Sequence, residues 1–386
     1  MPAERVLIVL WVLVLAHIAL TWLLAIRRGW RARHSDEKNR YPLLENPPPV
    51  SIIVPAWNEI GTLDKCLAAL QEVDYPNWEA IIVAGGEDGT YPAAVKATAE
   101  DKRFHVIERD HPDPKNAALA RGIQAAQHNI LILLDADIIV EPGWLAALIT
   151  PIADGASVSV GHTYPNRWTW VTLEEHMRHI RVYEILRRSW IQGDRSIAIR
   201  RDTLERIGGL PRHTYAREDW DVGVRLEQAG YQIVYAEEAR LVTDRPSTLK
   251  ESWRHHVRWH RTHLAGLWEY RSYMLGKPGY WFNQLYLYLL TIVLSLSLFS
   301  ALVLLPFFPT LSLFIFNLLA LFAVWLSVRI AAIAGEVAAY TGDWRWLARA
   351  LMPAVNIFMI MAAALVALLS PGKQTPFYKG PRYIAH

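Results

Sequence analysis

Apolar positions are unevenly distributed along this chain and gather at its two ends. Residues 6–26 carry no formal charge with His17 neutral, and a bilayer-spanning helix needs about 20 such residues. Three further runs, 285–308, 311–334 and 350–369, predict spanning helices of the same kind, with Pro306, Pro309 and Thr310 forming a tight break between the first two. Residues 335–349 contain Trp344, Arg345 and Trp346, an amphipathic pattern that predicts a segment at headgroup level. Between the ends the pattern changes. Short apolar runs at 51–54, 80–83, 105–107, 130–134 and 157–160 alternate with helical periodicity at 63–70, 93–100 and 115–126. That rhythm predicts a mostly parallel sheet with covering helices, whose ligands sit beyond the carboxyl ends of the strands.

The first apolar run has two readings, signal peptide and anchor. It is longer than a signal core, and Arg27, Arg28, Trp30 and Arg31 stand where a small-residue cleavage site would follow, so a retained anchor is expected. Arg27, Arg28, Arg31, Arg33, Lys38 and Arg40 come after it and Arg5 alone before it. The positive-inside rule therefore predicts an integral protein of the inner or plasma membrane with its folded domain in the cytoplasm. Three C-terminal crossings would leave Lys373, Lys379 and Arg382 outside, against the same rule, so a re-entrant or interfacial segment stands as the alternative. Pro47, Pro48 and Pro49 form a stiff spacer. The expected organisation is an anchor at 1–28, a basic and proline-rich linker at 29–49, a folded domain at 50–265, an interfacial segment at 266–284, membrane helices at 285–370 and a tail at 371–386.

Composition narrows the classes. A net charge of +3 over 386 residues gives no sign of a nucleic-acid partner. A single cysteine, Cys66, excludes an internal disulfide and a multi-cysteine zinc site.

Candidate chemistry lies just after the predicted strands. Pro55-Ala56-Trp57-Asn58-Glu59 reads as a proline ending a strand with polar groups at the sheet edge, or as an ordinary turn and helix cap. Asp135-Ala136-Asp137 puts two carboxylates one residue apart at a strand end, where they can share a hard divalent cation that also holds a diphosphate. Further on, Glu218, Asp219 and Asp221 open a helical pattern. Asp221 suits the positive end of a helix dipole, whereas transfer to a hydroxyl needs a carboxylate base distinct from the metal holders, the role open to Asp219. His255-His256-Val257-Arg258-Trp259-His260-Arg261 reads as a basic interfacial helix or as part of a site. A zinc site of His256, His260 and His263 is conceivable on one helix.

Taken in order, Pro55 to Glu59, Asp135 to Asp137, Gly193-Asp194 with Arg200-Arg201 and Gly208-Gly209, Glu218-Asp219 and Arg258-Trp259 resemble the membrane-bound branch of glycosyltransferase family 2. That branch includes cellulose, chitin and hyaluronan synthases and ceramide glucosyltransferase. The resemblance covers roughly residues 50–263. It implies an α/β, A-type glycosyltransferase domain with a Rossmann-like mixed sheet, flanked by N- and C-terminal transmembrane helices. It implies an inverting hexosyltransferase in which Asp135 and Asp137 bind Mg²⁺ or Mn²⁺ and Asp219 is the general base. Pro55, Asn58, Glu59, Glu87, Asp88, Lys115 and Asp135 would contact the nucleotide sugar, with Arg258 on the leaving diphosphate and Trp259 beside the acceptor. Asp194, Glu218 and His255 would support the acceptor side.

Two departures shape the expected substrates. Where many relatives carry paired aspartates after the second strand, this chain has Val83 and Ala84, followed by Gly85-Gly86-Glu87-Asp88-Gly89-Thr90. A UDP-sugar is the default donor, with GDP or another base open. His255 replaces the glutamine of processive relatives, which favours one sugar added to a membrane lipid; a processive polysaccharide synthase is the alternative. An inactive scaffold or transporter subunit fits less well, because base and metal carboxylates are all present and Arg329 and Glu336 lie near the ends of the predicted spans.

Overall fold

The computed structural model describes residues 3–34, 44, 46–185, 196–211, 218–276 and 278–370. In chain order the helices are α1 (Ala3–Arg33), α2 (Ile60–Gln71), α3 (Thr90–Thr98), α4 (Lys115–Ala125), α5 (Trp144–Ala153), α6 (Trp170–His179), α7 (Arg201–Arg206), α8 (Glu218–Gln228), α9 (Leu249–Glu269), α10 (Arg271–Leu275), α11 (Pro278–Leu304), α12 (Pro309–Thr341) and α13 (Met352–Leu369). The strands are β1 (Val50–Trp57), β2 (Trp78–Gly85), β3 (Phe104–Arg109), β4 (Ile130–Leu134), β5 (Ile138–Val140), β6 (Val158–Pro165), β7 (Ser196–Arg200) and β8 (Ile233–Thr243). They fall into two units. One comprises Glu37–Arg167 and Arg188–Arg245; the other comprises Met1–Asp36, Trp168–Arg187 and Pro246–Pro376.

The first unit is one sheet in the order β3-β2-β1-β4-β7-β6-β8-β5. β1 to β4 are mutually parallel, β7 is antiparallel to both β4 and β6, and β6 is parallel to β8. Six strands therefore end at the same edge. The apolar runs are continuous because both faces are covered. Ile52, Val54, Ile82 and Ile132 meet Leu63, Leu67 and Leu70 of α2 and Trp144 and Leu148 of α5. On the other face Ile53 and Leu131 meet Leu119 of α4, Leu204 of α7 and Leu226 of α8. All five predicted strands and all three predicted helices are present.

Two expectations are corrected here. Pro55 does not end its strand; β1 continues to Trp57, with Pro55 opposite Val83. Beyond Ile53 the strand is paired with β2 only, β4 having ended its register there, and proline is tolerated on a strand with a free side. The strand expected at 157–160 runs further, with His162 to Pro165 as the second half of β6. A register shift between Gly161 and His162 lets the strand pair on with Arg240 to Thr243.

The second unit carries the apolar helices. Three are long and apolar enough to cross a membrane: Ile8–Arg33, Pro309–Thr341 and Trp344–Leu369, which joins a 3₁₀ turn to α13. The run expected at 285–308 lies in α11, whose apolar part among the described residues, Tyr288–Leu304, is shorter. Ile8, Leu13, Leu23, Leu296 and Phe299 turn most of their side-chain surface outward, as a lipid-facing helix would. The expected headgroup segment at 335–349 is corrected in part. α12 runs on to Thr341, and only Trp344–Arg349 forms the separate 3₁₀ turn. The continuation holds because Ala331, Ala332, Ala334, Ala338 and Ala339 are buried and Glu336 is neutralised. Arg28 of α1 and Arg181 lie 3.2 and 2.8 Å from its carboxylate. Glu336 thus lies near the end of the span, as expected, five residues before Thr341, and is buried and doubly paired there.

α4 crosses β1 closely enough that a Cβ on Gly122 would stand 2.4 Å from Ile53 Cγ2 and 3.3 Å from Val83 Cγ2. Gly122→Ala should cost about 1–3 kcal/mol through overpacking and lower the thermal midpoint of the purified chain by several degrees. Gly61, with nothing within 4 Å of its Cβ direction, is the control: Gly61→Ala should leave the midpoint unchanged or raise it.

Candidate active site

The edge where the parallel strands end is organised by one turn. Asn58, directly after β1, takes a positive φ of 55°. Its amide donates to Gly85 O at 3.1 Å and its Oδ1 accepts from Glu87 N at 2.9 Å. Gly86 has a φ of 120°, and a Cβ there would sit 2.1 Å from Asn58 Oδ1; only glycine fits beneath the asparagine. Asp88 extends the clasp. Its Oδ2 accepts from Ile60 N at 3.2 Å, and its Oδ1 accepts from Thr90 N and Thr90 Oγ1 at 3.0 and 2.6 Å. Thr90 Oγ1 in turn accepts from Glu59 N at 2.7 Å. Burial pushes the Asp88 carboxyl up, but the hydrogen bonds from Thr90 and Ile60 outweigh it and hold the group below its ordinary value. Glu59 is buried, with Thr62 Oγ1 donating to its Oε2 at 2.8 Å. Glu87 is exposed. Asn58, Glu59 and Asp88, expected to meet the nucleotide, join the starts of α2 and α3 to the ends of β1 and β2.

A residue absent from the expected set completes this side. Trp57, Gly85 and Arg109 share one row across β1, β2 and β3. Because Gly85 has no side chain, the Arg109 guanidinium reaches over the Trp57 ring, 4.9 Å from its centre, a distance at which the cation is attracted to the ring face. Arg109 is buried and donates to the Asp113 carbonyl, while Asp113 also pairs with Arg121. Burial holds the guanidinium below its usual value, with Asp113 opposing, yet an arginine stays charged. The signal for Arg109, a cation and an aromatic at strand ends flanking a glycine, is readable only once the strand order is known.

Next along the edge, β4 delivers Asp135 and Asp137, both half-buried on either side of buried Ala136. Lys115, at the start of α4, stands 2.5 Å from Asp135 Oδ1. Cys66 Sγ approaches Asp135 O at 3.9 Å. Its thiol is pushed well up by burial, then by Asp137 and Asp135, so it is inert as a nucleophile. The pair therefore concentrates negative charge that already attracts a cation. Two hard carboxylate oxygens suit Mg²⁺ or Mn²⁺. Among the described residues no cluster of three or more His, Cys, Asp or Glu is placed to hold a metal, so such an ion would need ligands from a diphosphate and water.

Asp219 sits in the first turn of α8, half-buried, with its Oδ1 accepting from Trp220 N at 2.8 Å. Asp221 proves to be more than a dipole charge. It is buried and binds Arg225 at 2.7 Å, and Arg225 donates to Ile207 O and Gly209 O at 2.8 and 2.7 Å. That bridge fixes the start of α8 against the Gly208-Gly209 turn and thereby sets where Asp219 stands.

The remaining candidates lie in the other unit, on α9, whose N-terminus is closed by a Thr248–Glu251 capping box. Arg258 is half-buried, 3.5 Å from His255 Nδ1, and Trp259 stacks on His263. Among the described residues His256, His260 and His263 do not form a cluster placed to hold a metal. Burial holds His256 at about 3, with Arg178 and His255 adding to it, and burial holds His260 at about 4; both are neutral at neutral pH, and His260 is engaged by Tyr288 at 2.9 Å. Asp194 and the tail cations lie outside the described residues, as does the side chain of Glu218.

Comparison with known proteins bears on the family and the fold. Residues 51–207 match the model described as glycosyl transferase family 2, and residues 130–368 match that described as glycosyl transferase family group 2. Glycosyltransferase AglE of Haloferax volcanii is 27% identical over 196 residues, 49% of this chain and 64% of that protein. The undecaprenyl-phosphate 4-deoxy-4-formamido-L-arabinose transferase of Pectobacterium carotovorum is 30% identical over 126 residues, 31% of this chain and 37% of that protein. The chain thus spans less than two thirds of either relative. The mannosyltransferase PcManGT from Pyrobaculum calidifontis, solved with GDP-Man and Mn²⁺, superposes with a TM-score of 0.57 at 19% identity over 95% of this chain and 98% of that one. The fold is that of the A-type glycosyltransferases.

Asp88 gives a pH-dependent prediction. A carboxyl whose folded value is depressed adds stability above its unfolded value, and that contribution is lost as pH falls through the folded value. Asp88→Ala should cost about 0.5–2 kcal/mol near neutral pH, as for a lost helix cap. The gap between wild type and variant should close as the pH falls below the ordinary aspartate range; a gap constant across thermal melts at each pH would show that the carboxylate is not what holds the clasp.

Proposed function

We propose, from the premise that this chain belongs to glycosyl transferase family group 2, that it is an inverting transferase moving one hexosyl unit from a nucleotide sugar to a membrane lipid. The observation that carries this reading is the carboxylate pair at the end of β4, with Lys115 held 2.5 Å from Asp135 on the ligand edge of the sheet. A bound Mg²⁺ or Mn²⁺ supplies Lewis-acid neutralisation of the diphosphate as it leaves, and Asp135 and Asp137 are the residues that would hold it. Lys115 is poised to exchange its contact with Asp135 for a donor phosphate. Arg258 is assigned the remaining charge on the leaving group, by resemblance to the family.

Asp219 accepts the acceptor hydroxyl's proton as that oxygen attacks the anomeric carbon and the bond to the diphosphate breaks. The sugar inverts in one displacement, with no covalent intermediate on the protein. A hydroxyl is the acceptor chemistry that needs such a base; a lipid phosphate is already ionised near neutral pH. Trp57 and Arg109 offer a flat ring and a fixed donor for the nucleobase, standing in for the aspartates replaced by Val83 and Ala84; a uracil or guanine carbonyl suits them, and UDP is the first donor to try. The lipid acceptor follows from the apolar helices within the same chain. Arg27, Arg28, Arg31 and Arg33 at the C-terminal end of α1, against Arg5 at its N-terminal end, favour a cytoplasmic catalytic unit.

The test is a panel of UDP-, GDP- and dTDP-sugars with each metal and total membrane lipid, read by mass spectrometry for free nucleotide and glycosylated product. One lipid mass shift with one donor is expected, and a ladder of masses would replace single transfer by polymer synthesis. In the same assay Asp219→Asn should lower kcat about 100-fold or more with donor KM nearly unchanged. Arg109→Ala should instead raise donor KM about tenfold.

A further inference from the structure

Four rings on α9 and α11 form a single column. Trp259 stacks on His263 with 4.7 Å between ring centres and 10° between planes. His263 lies nearly parallel to Tyr288 at 6.2 Å and 17°. His260 stands edge-on to both Trp259, at 5.0 Å and 78°, and Tyr288, at 5.4 Å and 82°. Its Nδ1 is 2.9 Å from the Tyr288 hydroxyl.

Three members are buried: His260 is 1%, Tyr288 4% and His263 6% exposed. Trp259, the half-buried end, is the ring of the column with surface left for something else. The backbone beneath it is held as well, since Thr262 Oγ1 donates to the Trp259 carbonyl at 2.9 Å. Stacked and edge-on ring pairs at these separations are the favoured arrangements of aromatic contacts. Together they restrict an indole that on an isolated helix turns about two bonds. The neutral state of His260 fits this role, because a charged imidazole would be expensive in such surroundings. Tyr288 belongs to α11, so the far end of the column is fixed in an apolar helix of the membrane unit.

We propose that His263, His260 and Tyr288 are positioning residues for the transfer, holding the Trp259 ring in one orientation by stacking and by the His260–Tyr288 hydrogen bond. The inference rests on the assignment of Trp259 to the acceptor side made above. None of the three needs to touch either substrate; each acts through Trp259.

The test uses the full chain in lipid nanodiscs, with kcat and both KM values measured for Trp259→Ala, His263→Ala, His263→Phe and the double variant Trp259→Ala/His263→Ala. His263→Ala should lower kcat/KM for the acceptor about tenfold with donor KM within about twofold. His263→Phe, which restores a flat ring, should recover most of the loss. The double variant should be no worse than Trp259→Ala alone, the sign of two residues acting through one. Full activity in His263→Ala beside a crippled Trp259→Ala overturns the positioning role and leaves the acceptor assignment intact, as do multiplicative losses. Full activity in Trp259→Ala overturns both. A readout without turnover is amide hydrogen exchange along 258–263: faster exchange in His263→Ala, reversed in His263→Phe, supports the column, and unchanged exchange overturns it.

Discussion

The clasp at Asn58 sets what the sheet edge can hold. A parallel sheet ends in a row of strand termini whose following residues are free to splay apart, and a site built on that row needs those turns fixed relative to one another. Here one asparagine in a left-handed conformation donates its backbone amide to the end of β2 and accepts the Glu87 amide with its side chain. Asp88 and Thr90 then tie the first turns of α2 and α3 to the same point. A positive φ in a residue other than glycine is an uncommon state that persists where surrounding bonds over-determine it, as the bonds of Asn58, Asp88 and Thr90 do around this turn. Everything farther along the edge, from the Trp57–Arg109 pair to Asp135 and Lys115, is referenced to strands whose ends this turn aligns.

Much of this fold was legible in the sequence, for a definite reason. β1, β2 and β4 are covered on both faces, so they appear as largely apolar runs, and Asp135 and Asp137 could be located because a strand without polar residues leads to them. Among the strands that escaped notice, β7 is a buried apolar run of only five residues, and two others differ in character. β5 is only three residues long. β8 carries Glu237, Glu238 and Arg240 within its span and alternates between buried and exposed positions. β6 looked finished at 160 because the irregularity at Gly161 interrupts its pattern.

The site was legible as chemistry but not as architecture. The spacing of Asp135 and Asp137 is a local property and survives without coordinates. That Asp88 is engaged by three backbone and side-chain donors is not local, since two elements 28 residues apart in sequence must meet at it. The same holds for Arg109, which lies near Trp57 only through the strand order β3-β2-β1 and the missing side chain of Gly85. Long-range juxtaposition is decided by topology, and a motif read along the chain contains none of it.

The unit of apolar helices raises the question of why its polar groups are buried. Glu336 meets Arg28 and Arg181; Glu174 meets Arg178 at 2.7 Å and accepts from Asn356 of α13 at 2.5 Å. Burial pushes the Glu174 carboxyl up against the opposing pull of Arg178, the sign of a placement that disfavours the charge. Buried ion pairs of this kind seldom add stability over apolar residues of equal volume, so stability is a poor explanation for them. Orientation is a better one. A smooth apolar helix in lipid has little to fix its rotation, because tails and side chains are equally apolar. A carboxylate with two arginines on different segments has one satisfactory register, and so does an asparagine facing a buried glutamate. These contacts index α1, α12, α13 and α6 against one another. The aromatic column on α9 and α11 extends the same logic to neutral rings: Tyr288, through His260 and His263, gives the helix that carries Arg258 and Trp259 a defined rotational setting within its own unit.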